Sequence, residues 1–262
     1  MRQNAPVAKK DIQPIMKTVL LSYFSAARSL SRPGILWHLM WPTLAAAILW
    51  TGLLVMNWAT LVALGTSLIT AMPLIGNWLA SSEGALLVAL VMFKIGLVVL
   101  ALPIIYVTAA FLVAAIALPL MAEKVAALDY ADIARRKGGS QTGSVWNALT
   151  SVLQFLVLLV LSLPLWLIPG VGLIISLVLT AWLNQRAFRY DALMAHADTF
   201  EMKDLPARHA SGLFGVGLFG AVMAHVPLIN LFAPALSGLA FVHYLLSALR
   251  VSRQNENIIE VK

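Results

Sequence analysis

The sequence predicts an all-α integral membrane protein with two long transmembrane helices and two helical hairpins. Three observations predict it. The 262 residues are 61% hydrophobic and only 11% charged, with a mean hydropathy of +0.88; a soluble domain carries roughly 25% charged residues. Leu39–Leu64, Val145–Gln185 and Ser211–Leu249 contain no Asp, Glu, Lys or Arg. Lipid solvates such stretches only if the backbone closes its own hydrogen bonds as helix. Proline-marked breaks inside the last two stretches fold each into a hairpin.

The composition also excludes functions. The net charge of +7 comes from short basic loops, the pattern expected beside an anionic leaflet. No basic run is interleaved with aromatic residues, so no nucleic acid is expected as a partner. The chain has no cysteine, which removes disulfides, thiolate metal sites and cysteine nucleophiles. Gly138-Gly139-Ser140-Gln141-Thr142-Gly143 lacks the Gly-Lys-Ser/Thr ending of a phosphate loop and reads as a flexible connection. His196-Ala197-Asp198 has no third ligand at metal spacing. No histidine, serine and carboxylate set falls on one helix face. No cofactor, no metal and no enzymatic activity are expected.

Three parts follow along the chain: a basic N-terminal segment over 1–33, a membrane domain over 34–250 and a cytoplasmic tail over 251–262. Residues 1–33 hold Arg2, Lys9, Lys10, Lys17, Arg28 and Arg32 against Asp11. Two readings fit Pro14–Leu30. It is an amphipathic helix with Leu20, Phe24 and Ala27 toward lipid and Lys17 and Arg28 toward headgroups, or an ordinary basic tail. Ser31-Arg32-Pro33-Gly34 suits a helix start, because proline there loses no needed N–H. The same N–H groups beside Arg32 make Arg32, Pro33 and Gly34 candidate anion-binding residues; a plain helix start is the other reading.

Leu39–Leu64 is long enough to cross the ~20 residues of hydrocarbon core, with Trp37 and Trp41 suited to an interfacial belt. A neutral connection follows from Gly65 to Gly84. Ala85–Met121 is the second long span. It must tilt, project or bend, and Pro103 and Pro119 are the expected bend points. Lys94 inside this apolar run is a candidate functional group by default, or it reaches the interface or pairs with Glu83.

The first hairpin turns at Ile168-Pro169-Gly170-Val171-Gly172-Leu173. Its second arm, Leu173–Gln185, gives only about 20 Å of helix, so full and re-entrant crossing both stay open. The second hairpin turns at Val226-Pro227-Leu228-Ile229-Asn230-Leu231. The two turns share a pattern, with Met72-Pro73-Leu74-Ile75-Gly76-Asn77 as a weaker third copy. Pro169, Pro227 and Asn230 are the expected structural turn residues, and Gly or Asn is expected to take the left-handed conformation. Free N–H groups at Gly170 and Gly172 are a second candidate anion stop. Gly212, Gly215, Gly217 and Gly220 allow close packing of the arm before the second tip.

Orientation follows from Lys and Arg. The N-terminus, 123–144, 186–208 and 250–262 carry them; the connections 65–84, 169–172 and 227–230 do not. Helices in pairs put all basic segments on one side, and the positive-inside rule makes that side cytoplasmic, with both termini.

Ser31-Arg32-Pro33-Gly34-Ile35, the Pro169-Gly170-Val171-Gly172 turn and Pro227-Leu228-Ile229-Asn230-Leu231-Phe232 resemble the CysZ-type bacterial sulfate permeases, of the etoposide-induced-protein domain superfamily. The resemblance covers roughly residues 15 to 250. It implies two long spanning helices, two partly penetrating hairpins, a homo-oligomer in the bacterial inner membrane, and sulfate uptake without an ATPase domain. It also implies an anion site after the Pro-Gly start. The family's arginine pair there is Leu36 and Trp37 in this chain, leaving Arg32, Pro33 and Gly34. A family asparagine appears as Leu118, while Glu123 matches a family glutamate. The expectation is a permease or channel for a small inorganic anion, sulfate first, with the lipid bilayer as its surroundings. The alternative is a non-transporting membrane scaffold or partner-binding protein.

Overall fold

The computed structural model describes residues 15–73, 76–226 and 229–260, without the side chains of 79, 80, 83, 114 and 257–260. Eleven α-helices follow in order among the described residues: α1 (Ile15–Leu30), α2 (Pro33–Met56), α3 (Trp58–Thr70), α4 (Gly76–Ala80), α5 (Glu83–Leu112), α6 (Leu118–Asp129), α7 (Gln141–Ser162), α8 (Val171–Leu193), α9 (Glu201–Arg208), α10 (Ala210–Ala224) and α11 (Ala233–Glu260). A π-helical turn, Val113–Ala117, joins α5 to α6, and short 3₁₀ turns follow α7 and precede α11. No strand occurs among the described residues. The all-α membrane class therefore stands.

The helix count differs from the sequence expectation. Five described helices are long and apolar enough to cross a membrane: Pro33–Met56, Gly84–Asp129, Gln141–Leu167, Val171–Leu193 and Ala233–Glu256. The arm counted as about 20 Å belongs to α8, which has 23 residues and is about 35 Å long. Counting only apolar residues missed its amphipathic last turns, where Arg186 and Arg189 continue the helix. α10, with 15 residues, gives about 22 Å and stays short of the core thickness.

Leu39–Leu64 is likewise not one helix. It breaks at Asn57, between α2 and α3. The Asn57 side chain donates back to the Leu53 carbonyl at 2.8 Å, sharing it with the Asn57 N–H at 3.0 Å. The expected neutral connection is largely helical, since α3 runs on to Thr70 and α4 begins at Gly76. Ala85–Met121 lies in one 46-residue helical run. Pro103 sits inside α5 without ending it. The irregularity falls at the π turn, one residue before Leu118-Pro119. Proline cannot donate to the preceding turn, and a wide turn accommodates the missing bond.

The chain forms two compact units: Met1–Leu36 with Leu118–Lys262, and Trp37–Ala117. In the second unit α3 and α4 pack on α5. A side chain at Gly65 would collide with the Phe93 ring, so glycine lets α3 approach α5. Trp50 Nε1 donates to Thr108 Oγ1 at 2.9 Å, tying α2 to α5.

The first unit is built around α11. Two-thirds of its span is buried, 67% against at most 17% for any other candidate span. Phe241, Leu245 and Leu249, spaced by four, are fully buried, with α1, α6, α8 and α10 packed around them. α1 is amphipathic. Val19, Ser22, Tyr23, Ala26, Ser29 and Leu30 form its buried stripe, at the spacing of one helix face. Leu20, Phe24 and Ala27 are exposed, on the expected outer face. The stripe opposite them packs on α10 and α11, so of the two readings of Pro14–Leu30 the helix holds for the described residues.

Glycines set how closely α10 approaches. A Cβ at Gly217 would overlap the Ala181 carbonyl oxygen and sit 3.1 Å from its carbon. One at Gly220 would collide with Ser237 Oγ and lie 2.8 Å from the Tyr23 hydroxyl. One at Gly212 would collide with the Tyr244 hydroxyl. Interiors in lipid are held by such close contact rather than by exclusion of water.

Candidate functional site

The helix-packed unit ends in a polar layer built by α1, α6, α11 and the loops after α6 and α8. α1 ends at Leu30, and Ile35 and Leu36 N–H both donate to the Arg32 carbonyl at 2.9 Å, which starts α2. This geometry aims the Arg32 side chain at the end of α6. There Arg32 Nη1 and Nη2 donate to Asp129 Oδ2 and Oδ1 at 3.0 and 2.8 Å, a two-pronged pair. Arg32 and Asp129 side chains are 36% and 26% exposed. Asp129 holds the Arg32 guanidinium firmly charged, chiefly through these hydrogen bonds.

A buried polar chain runs inward from that pair. Ser29 Oγ donates to Asp129 at 3.3 Å and lies 3.0 Å from His243 Nε2. His243 Nδ1 lies 2.9 Å from the Tyr130 hydroxyl, which also meets Ser247 Oγ at 3.0 Å. Arg250 covers the Tyr130 ring at 4.7 Å, donates to the Asp129 carbonyl at 2.9 Å and pairs with Asp132. The pair with Arg250 pulls the Asp132 carboxyl below its ordinary value. Ser29, His243 and Tyr130 are all partnered here, as low-dielectric surroundings demand, while Arg250 Nε is enclosed without an acceptor.

A second knot lies beside the first. Arg253 grips Glu201 with two bonds of 2.8 Å and also donates to the His196 and Ala134 carbonyls at 2.8 and 2.9 Å. Asp198 Oδ1 accepts from Phe200 and Glu201 N–H, while Glu201 Oε2 accepts from Asp198 N–H. This reciprocal cap starts α9. Arg136 bridges Asp198 and Glu201 at 3.0 and 3.3 Å. Desolvation pushes Glu201 up, but the Arg253 bonds and the Asp198 N–H outweigh it, and its carboxyl lies low. Asp198 lies low chiefly through the Glu201 N–H. Burial, then the Arg135 and Arg253 charges, push the His196 imidazole below its ordinary value. The basic segments at Arg32, 135–136 and 250–253 thus meet in one polar layer of this unit.

The predicted site residues are placed as follows. Arg32, Pro33 and Gly34 stand together at the start of α2. Lys124 Nζ donates to the Gly34 carbonyl at 3.0 Å, adding a second cation there. Gly170 and Gly172 stand at the other end of α8. Gly170 takes the left-handed conformation, φ +82°. Gly172 is already helical, packed under the Trp166 ring. Pro169 precedes the turn, and Val171 N–H closes it onto the Ile168 carbonyl at 3.2 Å. Asn230 sits in a 3₁₀ turn, its N–H on the Val226 carbonyl at 2.9 Å, and its φ is not positive. Among the described residues of these motifs, only Gly170 takes the left-handed conformation. Pro227 lies outside the described residues. Lys94 is half-buried on α5 in the other unit, and the side chain of Glu83, its suggested partner, also lies outside them.

Sequence reasoning missed Asp129, Ser29 and Tyr130. Asp129 follows Arg32 by 97 residues, and no local pattern links them. The available signal was position: Asp129 is the acid that ends the second long apolar span.

A family model described as Sulfate transporter CysZ/Etoposide-induced protein 2.4 matches residues 22–234. It is a family of transporters rather than of enzymes. No curated protein and no solved structure matches the chain.

Proposed function

Because the chain belongs to the sulfate transporter CysZ/etoposide-induced protein 2.4 family, we propose that it is an ATP-independent permease or channel for a small inorganic anion, sulfate first. The observation that carries this reading is the pair of cations at the first turn of α2. Arg32 and Lys124 stand beside the N-terminal end of a 24-residue helix, whose dipole favours negative charge.

Asp129 supplies the chemistry of the empty state. Its carboxylate offers two oxygens to the guanidinium fork, as a tetrahedral oxyanion does. An arriving sulfate exchanges with Asp129 on Arg32, while Ser29 Oγ stays on the Asp129 carboxylate. The passage does not run between α8 and α10 at the level of Gly217, where the two backbones touch.

The same reading places the polar layer on the cytoplasmic face of a bacterial inner membrane, with both termini there. The clustering of basic segments at that layer supports it. A homo-oligomer fits the apolar α5 surface, whose most hydrophobic window has none of its residues buried. That surface also suits a second reading, a non-transporting scaffold that meets a partner there.

Radiolabelled sulfate uptake into proteoliposomes tests the proposal. Uptake should exceed that of empty vesicles and fall at least tenfold in Arg32→Ala. Uptake no faster than empty vesicles removes the sulfate claim, and a co-purifying partner without flux selects the scaffold.

A further inference from the structure

A second cluster of cations, distant in sequence from Arg32, has no acid paired with it among the described residues. A cavity of about 310 Å³ lies where α7, α8 and α9 meet, lined by Asn147, Arg189, Tyr190, Met202, Lys203 and Pro206. Arg186 stands one turn before Arg189 on α8, so two guanidinium groups lie side by side. Like charges so placed repel and are destabilising unless something compensates.

The described residues supply no compensation. Every acid of the surrounding segment is engaged elsewhere. Asp191 accepts from Ser144, Asp198 and Glu201 hold Arg136 and Arg253, and Asp204 holds Arg208 at 2.7 Å. Arg186, Arg189 and Lys203 make no ion pair among the described residues. Arg189 has no hydrogen-bond partner there either, and Arg186 Nε is fully enclosed with no acceptor. Arg186 rests only on the Trp182 ring, 5.5 Å from its centroid. Elsewhere in this unit Arg32, Arg136, Arg250 and Arg253 each face an acid, although Arg250 Nε, like Arg186 Nε, lacks an acceptor. A half-buried arginine left without an acceptor beside a cavity offers unused donors to a ligand that brings acceptors.

We propose that this cavity binds a tetrahedral oxyanion, the sulfate or phosphate class, held by Arg189 and Lys203 with Arg186 behind. The volume leaves room for the anion and several waters. Two sources carry that chemistry: a free inorganic anion and the phosphate of an anionic lipid headgroup. Arg189 and Arg186 stand in the last turns of a membrane-length helix, where either source is at hand. The site shares no residue with the α2 start and does not depend on transport.

The test uses the purified full chain in neutral detergent, followed by thermal unfolding. Wild type, Lys203→Gln and Arg189→Gln are compared without multivalent anions, with sodium sulfate against sodium chloride of equal ionic strength, and with added phosphatidylglycerol against phosphatidylcholine. Without anions, Arg189→Gln should melt at or above wild type, because a repulsion is relieved. With the occupying anion the order should reverse, since the wild-type midpoint rises and the variant's does not. Apparent affinity should fall about tenfold in Lys203→Gln, an exposed position whose replacement leaves the fold intact. A sulfate effect assigns the free anion, and a phosphatidylglycerol effect assigns the lipid headgroup. No specific stabilisation by either, or equal stabilisation of wild type and both variants, overturns the proposal. A loss of sulfate transport with this response intact leaves the site standing, so the two claims fail separately.

Discussion

Gly217→Ala tests whether α8 and α10 are packed backbone to backbone. The added methyl would overlap the Ala181 carbonyl oxygen and lie 3.1 Å from its carbon and 3.3 Å from its Cα. Ordinary contact begins near 3.4 Å. All three obstructing atoms are backbone, so no side-chain rotation relieves them. The helices must part by several tenths of an ångström to about one. Each such overpacking costs roughly 1–3 kcal/mol, and the alanine gains only about 0.8–1 kcal/mol of helix propensity in return. The net loss, up to about 2 kcal/mol, lowers the melting midpoint by up to roughly 8 °C in a chain of this length. Gly96→Ala on α5 is the control. A Cβ there meets nothing within 4 Å, so propensity alone acts and the midpoint should hold or rise. The assay is thermal unfolding in one detergent, followed by tryptophan fluorescence. If Gly217→Ala melts with or above Gly96→Ala, the close packing of the two helices is refuted.

Arg253→Gln should be the most damaging polar substitution. It leaves Glu201, whose side chain is only 12% exposed, with a half-buried charge, and frees two carbonyls. A cost of about 3 kcal/mol is expected, read as a loss of thermal stability, with Arg253→Gln/Glu201→Gln recovering part of it. Stability should rise with pH through the acid range. Glu201 and Asp198 titrate lower folded than unfolded, so their contribution is complete above the unfolded carboxyl values near 4 and is lost as pH falls through the folded ones. His196 adds the same sign higher up. Its imidazole protonates at lower pH folded than unfolded, so stability drops as pH falls below the unfolded value near 6.5. His196→Gln should flatten the profile just below about pH 6.5. Trp50→Phe removes the bond to Thr108 and should cost about 0.5–1.5 kcal/mol in the α2–α5 pair, measured by unfolding.

The helical class was legible because lipid leaves the backbone few choices. Charge-free stretches between basic loops mark helices whatever their partners. The glycines of α10 were legible for a similar reason, since small residues in an apolar run invite a neighbour. The exact bounds were not. A run that composition reads as continuous breaks at Asn57, between α2 and α3. The described turn residues Gly170 and Asn230 differ in conformation, since Gly170 is left-handed and Asn230 is not, a difference that the letters shared by the two motifs do not show. Arg32 was visible as a cation at a helix start. Its pairing with Asp129 was not, because it depends on α6 returning to α1, and that return is a property of the packed unit.

Sulfate uptake by wild type, Arg32→Ala and Asp129→Asn in the same proteoliposomes tests the exchange of anion for carboxylate most directly. Removing the internal competitor discards a charge-assisted contact, worth about 1.4 kcal/mol at this partly exposed pair, or roughly tenfold in affinity. The expected result is background uptake in Arg32→Ala and half-saturation at about tenfold lower sulfate in Asp129→Asn. Uptake that is the same in all three proteins, or absent from the wild type, would contradict the account.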